Sequence, residues 1–547
     1  MELKFGTAGI RGIMGPEPGQ MNLETVRLAT RGVAGWLKGK KGAEPMTGAA
    51  VAEPSTVPAV AEPSTVPEPV EGTKNARDLL VVISRDSRNN SLLFAEETAR
   101  TLEQCGIRAL MFEDIMPVPV LSFAVRYLHA DAGVMITASH NAKEYNGYKL
   151  YGATGGQILP EDAEVVQAEI KAVPALRQAQ EPPVEGTNVD VQNLDAALRP
   201  LRQAQEPPVE GNGSWQPTYV PDEVYHAYLD AMRRASNAPQ SAESMQSGQE
   251  CSEEQKTAKN GDFRPLSVIY TPLNGSGRRP AIETLTADGY DLFVVPEQEM
   301  PDGNFTTTGQ PNPEFESVYR LALEYAKEKR PDIIVATDPD CDRVGAMAKM
   351  DRKEASPAVQ YRLLSGNDLG VLVLSYLCAT RDMAGKVFVS SFVSTPLADR
   401  IAKAHGMEVI KTPVGFKHIA AEMDKAQENF GYAFEESNGM ILGLYTRDKD
   451  GVLGARLICQ AADYYRRQGS SAAEALDAVN EQYGPVFAKT VDVVVDPAAP
   501  KPETKVHEFD DGSKVVVRPS GTEPKIKYYF FAPSPERLAA LRKEFNV

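Results

Sequence analysis

Short apolar runs alternate with amphipathic stretches along most of this chain. The runs at Leu79–Ser84, Ala132–Thr137 and Asp332–Thr337 predict buried strands, whereas Ser91–Cys105 and Pro313–Lys329 have the pattern of helices. Strands separated by helices predict parallel sheets with right-handed crossovers, in which ligands bind at the carboxyl ends of strands. The same rhythm continues at Ser267–Thr271, Pro280–Asp288, Asp291–Val295, Leu369–Thr380, Val387–Val393, Pro396–His405 and Glu408–Thr412.

Three segments interrupt this rhythm. The segment 41–74 contains AEPSTVP twice, 174–214 contains RQAQEPPVEG twice, and 236–262 is rich in Ser, Gln, Glu and Asn. Such segments carry too few large apolar side chains to offset the entropy of ordering a chain. We expect surface insertions or linkers without a catalytic role, and docking of a partner on the Pro-rich pieces is the alternative.

Length and charge narrow the class of protein. At about 150 residues per domain, 547 residues predict three or four domains. The net charge of −17 argues against a general nucleic-acid binder, although a few local cations can still build an anion site. The five cysteines are scattered without CxxC spacing, which argues against a disulfide framework or a structural zinc site. No apolar run approaches the length of a membrane span and the start lacks a secretory pattern, so we expect a cytoplasmic protein.

The sequence ATDPDCDRVG directly follows the predicted strand Asp332–Thr337. Its carboxylates, Asp338, Asp340 and Asp342, repel one another unless a cation neutralises them. Oxygen ligands of this kind suit Mg²⁺ or Ca²⁺, and the loop lacks the Gly and Glu that an EF-hand requires. We expect a metal site here, with a solvated acidic turn as the alternative.

A second polar cluster, TASHN, follows the predicted strand Ala132–Thr137. Ser139 is a candidate nucleophile at a strand end, and a turn hydroxyl is its alternative. A hydrolase with His140 as its base is disfavoured, because adjacent extended residues point to opposite faces and no G-x-S-x-G elbow is present.

Three further clusters complete a candidate site. The stretch VVVRPSGTEPKIKYY joins a Gly-bearing turn to Arg, Lys and hydroxyl groups, which predicts a phosphate cradle, with a charged hairpin as the alternative. The loop GYAFEESNGM offers carboxylates and a hydroxyl to a sugar, with an ordinary loop as the alternative. The Gly-rich KFGTAGIRGIMG surrounds Arg11, with a flexible N-terminus as the alternative. TPVGFKH offers Gly415 and Lys417 as a second anion contact, with a solvated lysine as the alternative. PLNGSGRRP lacks dinucleotide-binding spacing. Together these clusters predict phosphoryl transfer.

The motifs TASHN, DPDxDR, FEESNG and RPSGTEP, in this order, resemble those of the α-D-phosphohexomutases, the phosphoglucomutase/phosphomannomutase superfamily. The resemblance covers nearly the whole chain apart from the three insertions, and FGTAGIRG is most similar to the phosphoglucomutase and phosphopentomutase-type branch. It implies an α/β fold of four domains around a central cleft. Three are related α/β domains with mixed sheets, and a smaller C-terminal domain is α+β. The expected boundaries are 1–216, 217–356, 357–484 and 485–547.

The resemblance also implies roles for single residues. Ser139 would carry a phosphoryl group, and one Mg²⁺ per active site would be held by this phosphate with Asp338, Asp340 and Asp342. The charged residues implied near the transferred phosphate, some with acid/base roles, are Arg11, His140, Lys149, Arg343 and Lys449. The implied substrate contacts are Gly415, Lys417, Glu435, Ser437, Arg518, Ser520, Gly521, Thr522 and Lys527. Ala142 departs from the usual TASHNP pattern, which removes a stiffening Pro from this loop.

By the same resemblance, the expected activity interconverts glucose 1-phosphate and glucose 6-phosphate through a bisphosphorylated sugar, with glucose 1,6-bisphosphate as activator. A phosphopentomutase and a phosphomannomutase are the alternatives with the same mechanism. Two other classes stay open, namely a phosphatase that uses Asp338 and Asp340 and a sugar-phosphate sensor without catalysis. We expect a monomer or dimer whose partner is a sugar phosphate, with neither nucleic acid nor membrane as partner.

Overall fold

The computed structural model describes most of the chain apart from the predicted insertions. Segments 41–74, 174–214 and 236–262 lie almost wholly outside the described residues, so their expected role stays a prediction. Within the described residues, no helix has the length and apolar character that crossing a membrane requires. The described residues are 5, 9–42, 78–172, 215–237, 264–350, 360–496, 502–520 and 525–547.

The first domain contains a mixed sheet with the strand order β1-β5-β4-β2-β3. Strands β4, β2 and β3 run parallel, and β5 pairs antiparallel with both β4 and β1. The strands are β1 (Ile10–Ile13), β2 (Leu80–Arg85), β3 (Arg108–Met111), β4 (Ala132–Ile136) and β5 (Tyr145–Gly152). The helices are α1 (Leu23–Gly42), α2 (Ser91–Gln104), α3 (Val118–Tyr127) and α4 (Pro160–Ala172).

The second domain repeats this topology in a sheet of order β10-β9-β8-β6-β7. The predicted helix Pro313–Lys329 begins late, because Phe315 has an extended backbone and a 3-10 turn at Glu316–Tyr319 precedes the α-helix. The strands are β6 (Ser267–Thr271), β7 (Asp291–Val294), β8 (Ile333–Thr337), β9 (Val344–Met350) and β10 (Gln360–Leu364). The helices are α5 (Asp222–Ser236), α6 (Arg278–Ala287), α7 (Pro296–Glu299) and α8 (Arg320–Lys329).

The third domain contains a shorter sheet of the same kind, with the order β12-β11-β13-β14. Strands β12, β11 and β13 run parallel, and β14 pairs antiparallel with β13. The strands are β11 (Val387–Ser391), β12 (Glu408–Thr412), β13 (Phe430–Phe434) and β14 (Met440–Leu442). The helices are α9 (Gly366–Thr380), α10 (Pro396–Ala404), α11 (Phe416–Ala426), α12 (Gly451–Arg467) and α13 (Ala472–Tyr483), with a 3-10 turn at Gln427–Asn429.

The fourth domain is an antiparallel sheet of order β15-β18-β17-β16 with one C-terminal helix in its described part. Ser534 caps this helix by accepting the backbone N–H of Arg537, and Pro535 occupies its first position, where a proline is preferred. The elements are β15 (Phe487–Val494), β16 (Lys505–Glu508), β17 (Lys514–Pro519), β18 (Lys525–Ala532) and α14 (Pro535–Glu544).

The first three sheets share one feature that determines where the polar clusters lie. In each, a buried parallel strand turns into an antiparallel neighbour, at β4–β5, β8–β9 and β13–β14. These turns carry Ser139, Asp338 and Glu435. The mixed sheets and the fold of four domains confirm the expected fold class. The strand–helix rhythm predicted parallel sheets, and that prediction is wrong at these three hairpins, where the second strand runs antiparallel to the first.

The first three domains are packed on one continuous apolar core. It includes Val82 of the first sheet, Leu285 on α6 and Val389 of the third sheet, all fully or nearly fully buried. Close packing of this kind resists small displacements. The three hairpin turns are therefore supported by a shared, rigid interior.

Candidate active site

The candidate nucleophile lies in the turn that follows β4. Ser139 is 1% exposed, and its backbone N–H donates to Thr137 Oγ1 at 2.7 Å. Its hydroxyl donates to Asp338 Oδ2 in the second domain, with an O···O distance of 2.9 Å. A buried hydroxyl is thus held against the acidic loop predicted to bind metal.

His140 lies closer to this hydroxyl than an extended backbone would allow. Ser139 has a φ of +53°, so the chain turns there and His140 Nδ1 lies 3.2 Å from Ser139 Oγ. The expectation that the two side chains point to opposite faces is therefore wrong. Burial of the ring, together with the nearby Arg343 and Arg11, holds the pKa of His140 well below its usual range. These surroundings favour the uncharged imidazole over the protonated one.

The three aspartates of the acidic loop converge. Asp338, Asp340 and Asp342 are all buried, and one carboxylate oxygen from each lies within 4.8 Å of the other two. In the described structure, Asp340 Oδ1 and Asp342 Oδ1 are buried and accept no hydrogen bond. Because buried carboxylate oxygens need a partner, these two atoms fit a site for a hard divalent cation.

Two lysines from other domains reach the acidic loop. Lys149 Nζ on β5 lies 2.7 Å from Asp340 Oδ2, and Lys449 Nζ lies 3.0 Å from Asp342 Oδ2. Burial alone raises the pKa of Asp342, but Lys449, Lys149 and Arg343 together lower it below its usual range. For Asp338, burial and the neighbouring carboxylates raise the pKa well above its usual range. The site therefore combines concentrated negative charge with cations placed to balance it.

The two predicted arginines lie at the edge of this cluster. Arg343 follows the acidic loop and donates to Glu314 Oε1 at 2.9 Å, while its backbone N–H donates to Asp338 Oδ1. Arg11 on β1 pairs with Gly147 on β5 and has an exposed side chain. Both lie near enough to His140 to lower its pKa, so the structure brings them to the same site.

The third domain contributes a carboxylate beside the lysines. Glu435 follows β13 and accepts the backbone N–H of Gly415 on Oε1 at 3.1 Å. Burial raises the pKa of Glu435 to about 7, although Lys449 lowers it. Ser437 is half-buried in the same turn, and Lys417 lies partly exposed in the first turn of α11. Glu435 and Gly415 are thus joined to each other, and Glu435 lies near Lys449.

The fourth domain contributes the predicted phosphate cradle. Arg518 on β17 lies opposite Lys527 on β18, and Lys527 Nζ is 3.6 Å from Asp492 Oδ2. Ser520 is buried, and its backbone N–H donates to the Lys525 carbonyl. Arg518 attracts the Glu436 carboxylate of the third domain electrostatically. The end of β17 therefore lies near the loop that carries Glu435 and Glu436. Gly521 and Thr522 lie outside the described residues.

Asp448 is a buried residue that the sequence reasoning missed. Its Oδ2 accepts the Tyr151 hydroxyl at 3.1 Å and the Gln157 amide at 2.9 Å, both from the first domain. Its Oδ1 lies 3.3 Å from Lys449 Nζ. Asp448 precedes Lys449 in the sequence TRDKDG, and the motifs pointed only to the lysine. Local sequence gives no indication that Asp448 contacts the first domain.

Comparisons with known proteins agree with this geometry. Models for all four domains of the phosphoglucomutase/phosphomannomutase family match, and together they cover well over half of the chain. The chain belongs to the phosphoglucomutase/phosphomannomutase family. The matched residues are 71–176 and 244–351 for the alpha/beta/alpha domains I and II, 365–483 for the alpha/beta/alpha domain III, and 469–546 for the C-terminal domain.

Members of this family are isomerases, so the predicted family and enzyme class are confirmed. A phosphoglucomutase of Staphylococcus saprophyticus is 28% identical over an alignment that covers 100% of this chain and 93% of the relative. A probable phosphomannomutase of Haemophilus influenzae is 29% identical, covering 83% and 88%. The crystal structure of a putative phosphomannomutase from Thermus thermophilus has the same fold, with a TM-score of 0.66, 22% identity and coverage of 100% and 98%. The domain boundaries expected from the sequence stay a prediction.

Proposed function

We propose that this protein is a phosphoglucomutase that interconverts glucose 1-phosphate and glucose 6-phosphate through a phosphoserine at Ser139. The observation that carries the proposal is the Ser139 hydroxyl, buried 2.9 Å from Asp338 in a cluster of three carboxylates and two lysines. A relative named phosphoglucomutase, aligned over the entire chain, supports glucose as the sugar. The alternative is a phosphomannomutase, which the Haemophilus influenzae relative favours.

The acidic loop fits one Mg²⁺ per active site. Asp338, Asp340 and Asp342 would hold it together with the phosphate on Ser139, and the buried oxygens of Asp340 and Asp342 that accept no hydrogen bond support this assignment. When bound, the ion supplies positive charge that stabilises the transferring phosphoryl group.

Residues of the chain itself account for the rest of the chemistry. In the first half-reaction the bond between phosphorus and Ser139 Oγ breaks as a sugar hydroxyl forms a new bond to phosphorus, and the proton that the hydroxyl loses is balanced by one gained at Ser139 Oγ. In the second, Ser139 Oγ forms a bond to the other phosphorus as the bond from that phosphorus to the sugar oxygen breaks. The serine proton passes to His140 Nδ1, 3.2 Å away, and a proton is returned to the freed sugar oxygen, so that the sugar monophosphate leaves with a hydroxyl group. Lys149, Lys449 and Arg343 hold the transferring group by charge, so catalysis depends mainly on positioning.

Substrate recognition would use the third and fourth domains. Glu435 and Ser437 would bind sugar hydroxyls, with Gly415 and Lys417 beside them. The residues proposed to hold the phosphate that does not react are Arg518, Ser520, Gly521, Thr522 and Lys527. One cradle serves both half-reactions if the bisphosphorylated intermediate turns around between them. Glucose 1,6-bisphosphate would then prime the enzyme by phosphorylating Ser139.

The remaining expectations belong to this proposal. A sugar phosphate is the partner, with no role for nucleic acid or a membrane, and the protein acts in the cytoplasm as a monomer or dimer. The acidic balance of charge supports the expectation that nucleic acid is not a partner.

A coupled mutase assay tests the choice of sugar. Glucose 1-phosphate, mannose 1-phosphate and ribose 1-phosphate are compared with Mg²⁺ and a trace of the matching bisphosphate, with Ser139→Ala as control. Fastest turnover of glucose 1-phosphate supports the proposal. Faster turnover of mannose or ribose phosphate assigns the enzyme to that sugar, and no turnover of any of the three overturns the proposed function.

A further inference from the structure

Arg88 is a fully buried residue to which the sequence reasoning gave no role. It lies in the loop between β2 and α2, and its side chain is 0% exposed. Its guanidinium group donates hydrogen bonds to four backbone carbonyl oxygens of the turn, from Ser139 onwards along the chain. These carbonyls belong to Ser139, Asn141, Ala142 and Tyr145. One planar cation therefore binds four carbonyl oxygens of the turn that presents the nucleophile.

Asp86 contacts both the Arg88 guanidinium and Thr137, which lies at the start of the Ser139 turn. Its Oδ2 lies 3.2 Å from Arg88 Nε, and its side chain is also 0% exposed. The same Oδ2 accepts the hydroxyl of Thr137, which in turn accepts the backbone N–H of Ser139. The N–H and the carbonyl of Ser139 are thus both tied to a single ion pair.

The second domain covers the outer side of this pair. The Phe305 ring is fully buried and its centroid lies 5.0 Å from Arg88 Cζ. Beside it, Asn89 Nδ2 donates to Asn304 Oδ1 at 3.0 Å. The guanidinium is therefore enclosed between the nucleophile turn and the domain that carries the acidic loop.

The conformation of Ser139 explains why such support is needed. Its φ of +53° lies in the left-handed region, which is sterically costly for L-residues and is maintained when the surrounding structure holds the residue there. This conformation directs the hydroxyl towards Asp338 Oδ2 and His140 Nδ1. A turn that relaxed to an ordinary φ would lose both contacts.

We propose that Arg88, oriented by Asp86, is a positioning residue that holds Ser139 Oγ in line for phosphoryl transfer. The inference rests on the proposed mutase function. Because both side chains are fully buried, neither can touch a substrate, so their effect passes through the backbone of the turn. Misplacement of a reacting group by about 1 Å can lower a rate about 100-fold while leaving substrate binding nearly unchanged.

The test compares Arg88→Lys and Asp86→Asn with a matched control. Arg88→Lys keeps the charge but loses the fork that reaches four carbonyls, and Asp86→Asn keeps the shape but removes the ion pair. Arg85→Lys is the control, because Arg85 stands three residues earlier and donates instead to the Glu113 carbonyl. The readouts are kcat, the calorimetric Kd for glucose 1-phosphate, the thermal midpoint, and the single-turnover rate of Ser139 phosphorylation from glucose 1,6-bisphosphate by intact mass.

We expect both variants to lower kcat and the phosphorylation rate about ten-fold or more, with Kd changed by less than about two-fold and Arg85→Lys unaffected. A lower thermal midpoint with kcat preserved, or a Kd that rises in step with the lost rate, overturns the proposal. If Arg88→Lys does not fold, Asp86→Asn decides. If neither folds, the pair is structural and the proposal is rejected. A wild-type enzyme that turns over no sugar phosphate contradicts the proposed function instead.

Discussion

The Ser139 hydroxyl donates to the Asp338 carboxylate across the boundary between two domains, at an O···O distance of 2.9 Å. Each residue lies in the turn that joins a parallel strand to its antiparallel neighbour, after β4 for Ser139 and after β8 for Asp338. The equivalent turn of the third domain carries Glu435. Repetition of one local topology thus brings the proposed nucleophile, metal loop and sugar contact to one place.

Loss of one carboxylate from the acidic loop should increase the amount of metal that the enzyme requires. Asp340→Asn should raise the Mg²⁺ concentration for half-maximal activity about ten-fold or more, because Asp340 Oδ1 is a buried oxygen without a hydrogen bond. Titration of Mg²⁺ into chelator-treated enzyme measures this. Asp291→Asn, at an exposed strand start of the same domain, is the control and should leave the titration unchanged. Equal Mg²⁺ requirements for the two variants would rule out Asp340 as a ligand.

The raised pKa of Glu435 predicts a pH-dependent stability. Because the folded-state pKa is about 7 against an ordinary value of 4.5, the folded state binds this proton more tightly than the unfolded state. Stability from the protonated carboxyl is fully present below pH 4.5 and is lost as pH rises through about 7. Glu435→Gln should therefore gain stability over the wild type between these values, by at most about 3 kcal/mol.

Thermal midpoints of both proteins at about pH 5 and about pH 8 test this prediction. The gap in favour of Glu435→Gln should be larger at the higher pH. The same variant should lose kcat/KM mainly at about pH 8, because only above its pKa of about 7 is Glu435 a carboxylate, which a neutral amide cannot replace as a strong acceptor for sugar hydroxyls. A gap that does not change with pH would show that Glu435 ionises normally.

Arg518 should contribute to binding more than to the chemical step. A phosphate that does not react is held equally in the ground state and the transition state, so its loss should raise KM and leave kcat nearly unchanged. We expect Arg518→Gln to raise KM for glucose 1-phosphate about 10-fold to 100-fold. Lys505→Gln, at an exposed position of the same sheet, should leave both constants unchanged. A fall in kcat at constant KM would instead place Arg518 beside the transferring group.

Gly275 should tolerate no side chain. A Cβ at this position would lie 2.5 Å from Pro339 Cα inside the acidic loop, so the backbone of the loop would have to move. Gly275→Ala should destabilise the protein by about 1–3 kcal/mol and weaken Mg²⁺ binding. Gly39→Ala is the control, because a Cβ there meets no atom within 4 Å and alanine favours the exposed helix. The prediction fails if both variants keep the wild-type thermal midpoint and metal titration.

Much of the fold follows from local sequence pattern. The strands Ser267–Thr271 and Glu408–Thr412 have the bounds predicted, and the other strands that were predicted have bounds within two residues of those expected. β5 was missed because its sequence, YNGYKLYG, mixes polar, glycine and aromatic residues although most of it is buried. Its pairing with β4 makes the hairpin that presents Ser139.

The candidate site was predictable only in part. The motifs identified Ser139, the acidic loop and the lysines, since each cluster is contiguous in sequence. The contacts of Arg88 with the Ser139 turn and of Asp448 with Tyr151 join residues about 50 and 300 positions apart. Periodicity and spacing contain no information about such long-range pairs. The approach of His140 to Ser139 depends on a left-handed backbone, which no residue in TASHN indicates.

The position of the phosphoryl group in the working enzyme tests the central claim most directly. Wild-type protein and Ser139→Ala are incubated with Mg²⁺ and glucose 1,6-bisphosphate, and phosphopeptides are then mapped after acid treatment. The account predicts one acid-stable phosphoryl group on Ser139 of the wild type, its absence in Ser139→Ala, and loss of mutase activity in that variant. An acid-labile phosphate on Asp338, or full activity of Ser139→Ala, would contradict it.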